Sequence, residues 1–491
     1  MVDLAEISRQ VTDTSFDLPL ADGSRLRQLR PVRVVPGRRL VCRGEWDGRR
    51  IYVKLFIGTS AARHAERDAA GVRLLREADI ATPELLHVGV VAQGEGVSAH
   101  VLVFAAIEAG VNAEELWRRL DENGRRYLAE ALVVTVARHH NAGLRQTDLY
   151  LKNFLVEDGR IYSLDGDGMR RLPLIRARHA ALDNLAILLS KFDVLETDAW
   201  LPHLLRTYAE HRAYHALPDL YDMARRVARY RQGAVRAYAE RKVLRQCTDV
   251  VVRHDWRRFL AAVRTSAGTG LVRRLWQDPD ALLEGEGCRC LKSGNTCTVG
   301  LMQDDDRKYV VKRYNIKSFR HWIGRFWRPS RAAASWCNAH RLLMYGVVTP
   351  PPVALLECRF GPLRGRAYFV AAYVDAPDIG QWLESDAVTD AQKLAGLRAL
   401  ARLMYKLQRL QIVHGDMKAS NIRMDGTQPV LIDLDSMREV RCRHLFERGH
   451  VRDLRRLLRN WDGQSRWRQA LADALTEAYG VSALLARVLR H

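Results

Sequence analysis

Residues 414–437 read HGDMKASNIRMDGTQPVLIDLDSM, and residues 146–169 read QTDLYLKNFLVEDGRIYSLDGDGM. The two stretches align without a gap at a displacement of 268 residues, so that Asp148, Asn153, Asp165 and Asp167 fall on Asp416, Asn421, Asp433 and Asp435. Polar residues that keep register while their neighbours differ mark two copies of one site, and a repeat at long period implies two copies of one architecture.

Outward from these stretches the grammar repeats. YLAEALVVTVARHHNAGL precedes the first and LAGLRALARLMYKLQRLQI the second, both with helical periodicity. Within each, two short apolar runs flank a turn containing Asp-Gly, the pattern of a tight hairpin: NFLV and IYSL in the first copy, NIRM and VLI in the second. Asp148 and Asp416 then lie on a loop between helix and hairpin, while Asp165 and Asp433 emerge at the hairpin's exit. Upstream, RRIYVKLF and RKYVVKRY alternate apolar and polar residues with β-branched and aromatic types, which places Lys54 and Lys312 on strands.

A strand lysine, a loop aspartate with an asparagine five residues on, and a later aspartate form the parts list for phosphoryl transfer from ATP. Lysine neutralises the non-transferred phosphates, the first aspartate orients an acceptor hydroxyl and takes its proton, and the asparagine and later aspartate offer the oxygen ligands that suit magnesium. Taken alone, a strand lysine is usually a solvated edge residue, DxxxxN is a common accident and Asp-Gly is an ordinary turn. Occurring in order and twice, they outweigh those readings.

At this point the chain resembles the protein-kinase-like superfamily, and within it the bacterial lipopolysaccharide core sugar kinases that phosphorylate heptose or Kdo. The second half carries LKSGNTCTV, VVKRYNIKSF, RPSRAAASWCNAHRLL, VVTPPPVALLE, VHGDMKASNI and LIDLDSM; the first carries YVKLF, ATPELL, HHNAGLRQTDLYLKNFLV and SLDGDGM. The resemblance spans most of the chain except the extreme N-terminus and an Arg-rich stretch around 175–262, read as helical. It implies an α+β chain of two tandem protein-kinase-like bilobal domains, each with a small antiparallel-sheet lobe and a larger helical lobe. The expected domains are 1–264, with a helical C-terminal extension, and 271–491.

Carried over residue by residue, the resemblance makes Asp148 and Asp416 catalytic. Lys54, Lys312 and Lys418 would bind phosphates, and Glu66, in AARHAERDAAGVRLLRE, would pair with Lys54. Asn153, Asp165, Asp167, Asn421, Asp433 and Asp435 would be magnesium ligands, with ATP in each cleft. The copies depart from each other: Gln146 stands where the second has His414, the first lacks a counterpart of Lys418, and RAAASWCNAHRLL offers no glutamate to Lys312. Neither half shows GxGxxG; SGNT and PGRR stand near the expected nucleotide loops.

Hydrophobic residues at 47% and charged residues at 27% exclude disordered and disulfide-scaffold classes, and 491 residues exceed one core. The net charge of +21 is spread along the chain and suits polyanions: nucleic acid, anionic lipid or phosphorylated sugars. Eight cysteines without framework spacing fit a reducing compartment, and Cys288, Cys290 and Cys297 lack the partner spacing of a zinc site, so no metal is assigned there. The opening residues lack the apolar segment of a secretory signal, and no run approaches the length of a spanning helix. KSFRHWIGRFWRPSR at 317–331 reads either as a small-lobe helix packing its aromatics inward or as an interfacial helix on anionic lipid.

The resulting expectation is an ATP- and magnesium-dependent kinase of a lipid-linked core oligosaccharide, cytoplasmic and peripheral on the inner-membrane face, with no nucleic acid partner. Two alternatives remain at this point. One is a kinase acting on a protein or small soluble acceptor; the other is a basic nucleic-acid-binding protein built on inactive kinase folds.

Overall fold

The computed structural model describes residues 15–35, 37–91, 99–285, 287–315, 329–463 and 465–490. The 317–331 segment lies mostly outside them. Helices and strands mix throughout, an α+β chain. It forms two compact units, one comprising residues up to Phe192 with Glu196–Arg231, the other Asp193–Leu195 with residues from Gln232 onward.

The first unit begins with a six-stranded antiparallel sheet in the order Phe16–Pro19, Arg25–Val35, Arg39–Trp46, Arg49–Ile57, Ala99–Ala105, Leu85–Val90. Strand alternation in IYVKLF buries Ile51, Val53 and Leu55 on one face. On the other, Phe56, Leu102 and Phe104 pack against Ala61, Ala65, Ala69 and Val72 of helix Ala61–Glu77. Lys54 shares that second face, which brings it under the helix. A helical portion follows, with Glu122–Asn141 capped by Asp121 and a core that includes Leu132, Phe154, Leu185 and Tyr208.

The second unit repeats the scheme with a seven-stranded antiparallel sheet: Val250–His254, Arg258–Val263, Pro352–Phe360, Leu363–Ala372, Arg307–Tyr314, Cys297–Asp304, Cys288–Lys292. Helix Arg331–Met344 packs on it through Trp336 and Ala339, and helix Asp390–Arg409 is closed at its start by a capping box between Thr389 and Gln392. The loop hairpins fold as their sequences indicate. Phe154–Glu157 and Arg160–Ser163 turn through Asp158 and Gly159, both at positive φ, and Ile422–Asp425 and Gln428–Leu431 turn through Gly426 and Thr427. Among the described residues no helix is long and apolar enough to cross a membrane.

The junction expected at 265–270 is displaced. The units divide at Arg231/Gln232, within helix Leu220–Glu240, and Val250–His254 and Arg258–Val263 belong to the second sheet, where Ala261 pairs with Leu355. The stretch read as helical to 262 is therefore helical only to the turn Lys242–Leu244. VVVRHDWRRFLAAV is a β-branched hairpin whose edge is satisfied by a strand almost a hundred residues later in the chain, a pairing that local pattern does not announce.

One contact fixes the first unit's helix against the hairpin exit. Gly71 lies so close to Gly166 that a Cβ on Gly71 would overlap the Gly166 carbonyl, and one on Gly166 would overlap the Asp68 carbonyl. Helix propensity favours Gly71→Ala by about 1 kcal/mol, but backbone on both sides cannot retreat as a side chain could. Gly71→Ala is expected to cost about 1–3 kcal/mol net, read as a lowered unfolding midpoint of the first unit; an unchanged or raised midpoint would show that the close packing is not maintained.

Candidate active site

Both lysines meet the hairpin-exit aspartate. In the first unit Lys54 Nζ lies 3.3 Å from Asp165 Oδ1 and 2.7 Å from Asp68 Oδ2, and Arg39 Nη1 lies 3.4 Å from Asp165 Oδ1. In the second, Lys312 Nζ lies 3.0 Å from Asp433 Oδ1. Asp165 (φ 67°, ψ 76°) and Asp433 (φ 62°, ψ 60°) both occupy the left-handed region. Aspartate tolerates it better than most residues, yet the cost is of order 1 kcal/mol, and the same strain recurs at equivalent positions. Burial pushes the Asp165 carboxyl up, but Lys54, Arg39 and Arg33 outweigh it and hold the group below its ordinary range. At Asp433 burial is likewise outweighed, chiefly by Lys312, so both carboxylates are ionised near neutrality.

The loop aspartates stand beside their asparagines. Asn153 Nδ2 donates to the Asp148 carbonyl at 2.7 Å, and Asn421 Nδ2 donates to the Asp416 carbonyl at 2.9 Å and to Asp416 Oδ2 at 3.0 Å. Each asparagine is buried, and its amide oxygen, a hard donor, accepts no hydrogen bond among the described residues. Asn153 and Asp165 in one copy, and Asn421 and Asp433 in the other, offer oxygen donors of the kind magnesium takes. No group of three or more His, Cys, Asp or Glu arranged for a metal occurs among the described residues. The set suits an ion that completes its shell with water and nucleotide phosphates.

Sequence stretches 53–208 and 273–479 match the family model of the lipopolysaccharide kinase (Kdo/WaaP) family. The chain belongs to the lipopolysaccharide kinase (Kdo/WaaP) family. The match reaches further than the motifs did, including helix Ala177–Leu189 and most of Val194–His211. A solved structure, "WaaP in complex with acyl carrier protein", is similar over 49% of this chain and 91% of that one, with 21% identity and a TM-score of 0.29. No curated protein matches.

Within this family member the two copies solve the same local problems differently. Gln146 Nε2 donates to the Leu164 carbonyl at 2.9 Å, and His414 Nε2 lies 3.1 Å from the equivalent Ile432 carbonyl, so glutamine replaces histidine as a brace between loop and hairpin. Asn184 Nδ2 donates to the Gln146 carbonyl at 2.8 Å, while Asp453 accepts from the backbone N–H groups of His414 at 2.7 Å and Gly415 at 3.1 Å. Burial lowers the pKa of His414, which suits a neutral structural brace.

Two expectations need correction. Glu66 does not pair with Lys54: it is exposed and lies 3.1 Å from Arg73. Asp68, two residues on, is the partner, because it falls on the buried stripe with Ala61, Ala65 and Val72. An acidic residue on that apolar stripe was the available signal. Burial, the largest influence, pushes the Asp68 carboxyl up, and Lys54 opposes it. Asp167 and Asp435 do not turn to the asparagines but pair with Arg67 and Arg331 of the packed helices. Each sits in the middle of a short 3₁₀ turn that begins directly after the left-handed aspartate and carries it round to the helix side.

Further residues had no sequence signal. Lys191 is largely buried, lies 3.9 Å from the Tyr150 ring centroid and interacts electrostatically with Asp148; burial lowers its pKa and Asp148 opposes that. In the second unit Arg456 Nη2 lies 2.5 Å and Lys418 Nζ 3.3 Å from Asp416. Each loop aspartate thus has a cation, in one copy supplied from a distant turn. Helix Arg331–Met344 supplies no carboxylate to Lys312; its buried Ser335 lies 2.9 Å from the Tyr314 hydroxyl. The SGNT turn lies between strands Cys288–Lys292 and Cys297–Asp304, with Asn315 Nδ2 donating to the Gly294 carbonyl at 3.2 Å.

Removing one member of a buried ion pair strands the other. Asp68→Asn is expected to destabilise the first unit by about 3 kcal/mol, whereas Glu66→Gln should change stability by less than about 0.5 kcal/mol. Denaturant unfolding of both variants checks the assignment, and equal effects would contradict it.

Proposed function

We propose that the chain transfers the terminal phosphoryl group of ATP to a sugar hydroxyl, of heptose or a related residue, in the lipid-linked inner core of lipopolysaccharide at the cytoplasmic membrane face. Family membership supports a lipopolysaccharide kinase. The observation that carries the reading is the repeated constellation: a strand lysine on a left-handed aspartate, beside a loop aspartate joined to its asparagine. On this reading the two units are tandem kinase-like domains, each a sheet lobe followed by a helical lobe.

Lys54 and Lys312 hold non-transferred phosphates by charge, taking up in the complex the anion now represented by Asp165 and Asp433. Asn153 with Asp165, and Asn421 with Asp433, are the oxygen donors for magnesium, whose charge would offset that of the phosphates. Asp148 and Asp416 accept a hydrogen bond from the acceptor hydroxyl, orient its oxygen towards the phosphorus and take its proton as the bond forms. Arg456 and Lys418 keep Asp416 positioned, and Lys191 serves Asp148. The net charge of +21 favours a phosphorylated, membrane-bound acceptor.

The test incubates the protein with ATP, magnesium and dephosphorylated core glycolipid and weighs the product. At least one of Asp148→Asn and Asp416→Asn is expected to lower phosphate gain by about 10²-fold or more, and the double variant to abolish it, with unfolding midpoints retained. Undiminished gain in the double variant would overturn the roles, and turnover on free sugars or peptides with none on glycolipid would overturn the acceptor.

A further inference from the structure

The second unit contains a cavity of about 560 Å³ that plays no part in the Lys312–Asp433 cleft. Six arginines and one carboxylate, Asp462, line it. Arg448, Arg452, Arg455 and Arg459 follow one another at four, three and four residues along helix Arg443–Leu458 and the turn after it, hence on one face. Arg468 comes from helix Ser465–Tyr479 and Arg487 from Ala483–Leu489, and Val451, Leu458 and Val488 form an apolar floor.

Charge within the cavity is poorly neutralised. Arg468 Nε lies 3.3 Å from Asp462, Arg487 Nη1 lies 3.6 Å from Glu447, and Arg455 Nη2 donates to the Arg487 carbonyl at 2.6 Å. Arg448, Arg452 and Arg459 make no salt bridge or side-chain hydrogen bond among the described residues, although each lines the cavity. Like charges three and four residues apart on a helix repel and destabilise it. Three helices nevertheless converge their guanidinium groups on one concave site. Planar guanidinium forks match phosphoryl oxygens in pairs, and the cavity is large enough for more than one such group.

We propose that this cavity is a second anion site, taking a ligand with two phosphoryl groups close together. The same helix also holds the loop of Asp416, through Asp453 on His414 and Gly415 and Arg456 on Asp416, so an occupant would brace the element on which that loop rests. The proposal rests on the kinase reading only for that last connection; the site itself stands on its own arginines. Its ligand is either a soluble pyrophosphate-like anion or a bisphosphorylated lipid headgroup.

Calorimetric titration with inorganic pyrophosphate, and flotation with phosphatidylcholine vesicles with and without cardiolipin, test it. Three proteins are compared: wild type, Arg452→Gln/Arg459→Gln, and Lys54→Met/Lys312→Met, with Mg-ADP binding measured in parallel. Pyrophosphate affinity should fall about tenfold or more in the arginine variant while its Mg-ADP binding is retained; the lysine variant should do the reverse. Cardiolipin-dependent flotation lost in the arginine variant assigns a lipid headgroup, and pyrophosphate binding without flotation assigns a soluble anion. Equal binding of both probes by the wild-type protein and the arginine variant, or loss only in the lysine variant, overturns the proposal. Failure of Mg-ADP to bind any of the three proteins would instead count against the kinase reading.

Discussion

The ion pair between a strand lysine and an aspartate in left-handed backbone is the constraint on which each unit's site depends. Lys54 and Lys312 stand on the sheet face that a helix covers, and Asp165 and Asp433 stand where a hairpin ends. A partly buried ammonium needs a counterion, since desolvation without one costs more than an ordinary surface pair returns. That requirement ties sheet to hairpin exit, and the backbone strain at the aspartate is offset by the contacts around it. An ion pair of this kind is also replaceable, because a nucleotide's phosphates can answer the lysine while a divalent ion answers the aspartate.

The two copies keep this geometry with different chemistry. Strand register places Cys297 opposite Tyr314 in the second sheet where Arg39 stands opposite Phe56 in the first, so Asp165 has a strand arginine that Asp433 lacks, while Lys418 of the loop adds its charge at Asp433. A carboxylate from the covering helix completes the first site through Asp68 and is missing from the second. Where Gly71 lets backbone touch backbone, Asn338 spans the equivalent interval, donating at 2.8 Å to the carbonyls of both Leu434 and Met437. A glutamine and asparagine pair and a histidine and aspartate pair brace the same loop. The lysine–aspartate and asparagine–aspartate contacts persist in both copies while the residues that support them differ.

Much of this was legible because the polar residues lie in local motifs with fixed spacing. Lys54, Asp148, Asn153 and Asp165, with their counterparts, could be named from pattern, and so could the hairpins, whose Asp-Gly turns dictate positive φ. What was missed depends on tertiary approach. Glu66 and Asp68 differ by two residues on one helix, and only the burial of the stripe decides which meets the lysine. Asp167 and Asp435 lie two residues from Asp165 and Asp433, but each sits in a 3₁₀ turn and pairs with an arginine of the packed helix. Lys191, Arg456 and Asp453 act from elements dozens of residues distant from their aspartates or loop, and Arg258–Val263 pairs with a strand that follows three other strands of the same sheet in the chain.

The central claim is that the lysine-bound, left-handed aspartates are where magnesium and nucleotide bind. Calorimetric titration of Mg-ADP into the wild-type protein and into Asp165→Asn, Asp433→Asn and the double variant tests it most directly. Magnesium-dependent binding that weakens in at least one single variant and is lost in the double variant is the expected result. Binding by the double variant with wild-type affinity and the same magnesium dependence would contradict the account.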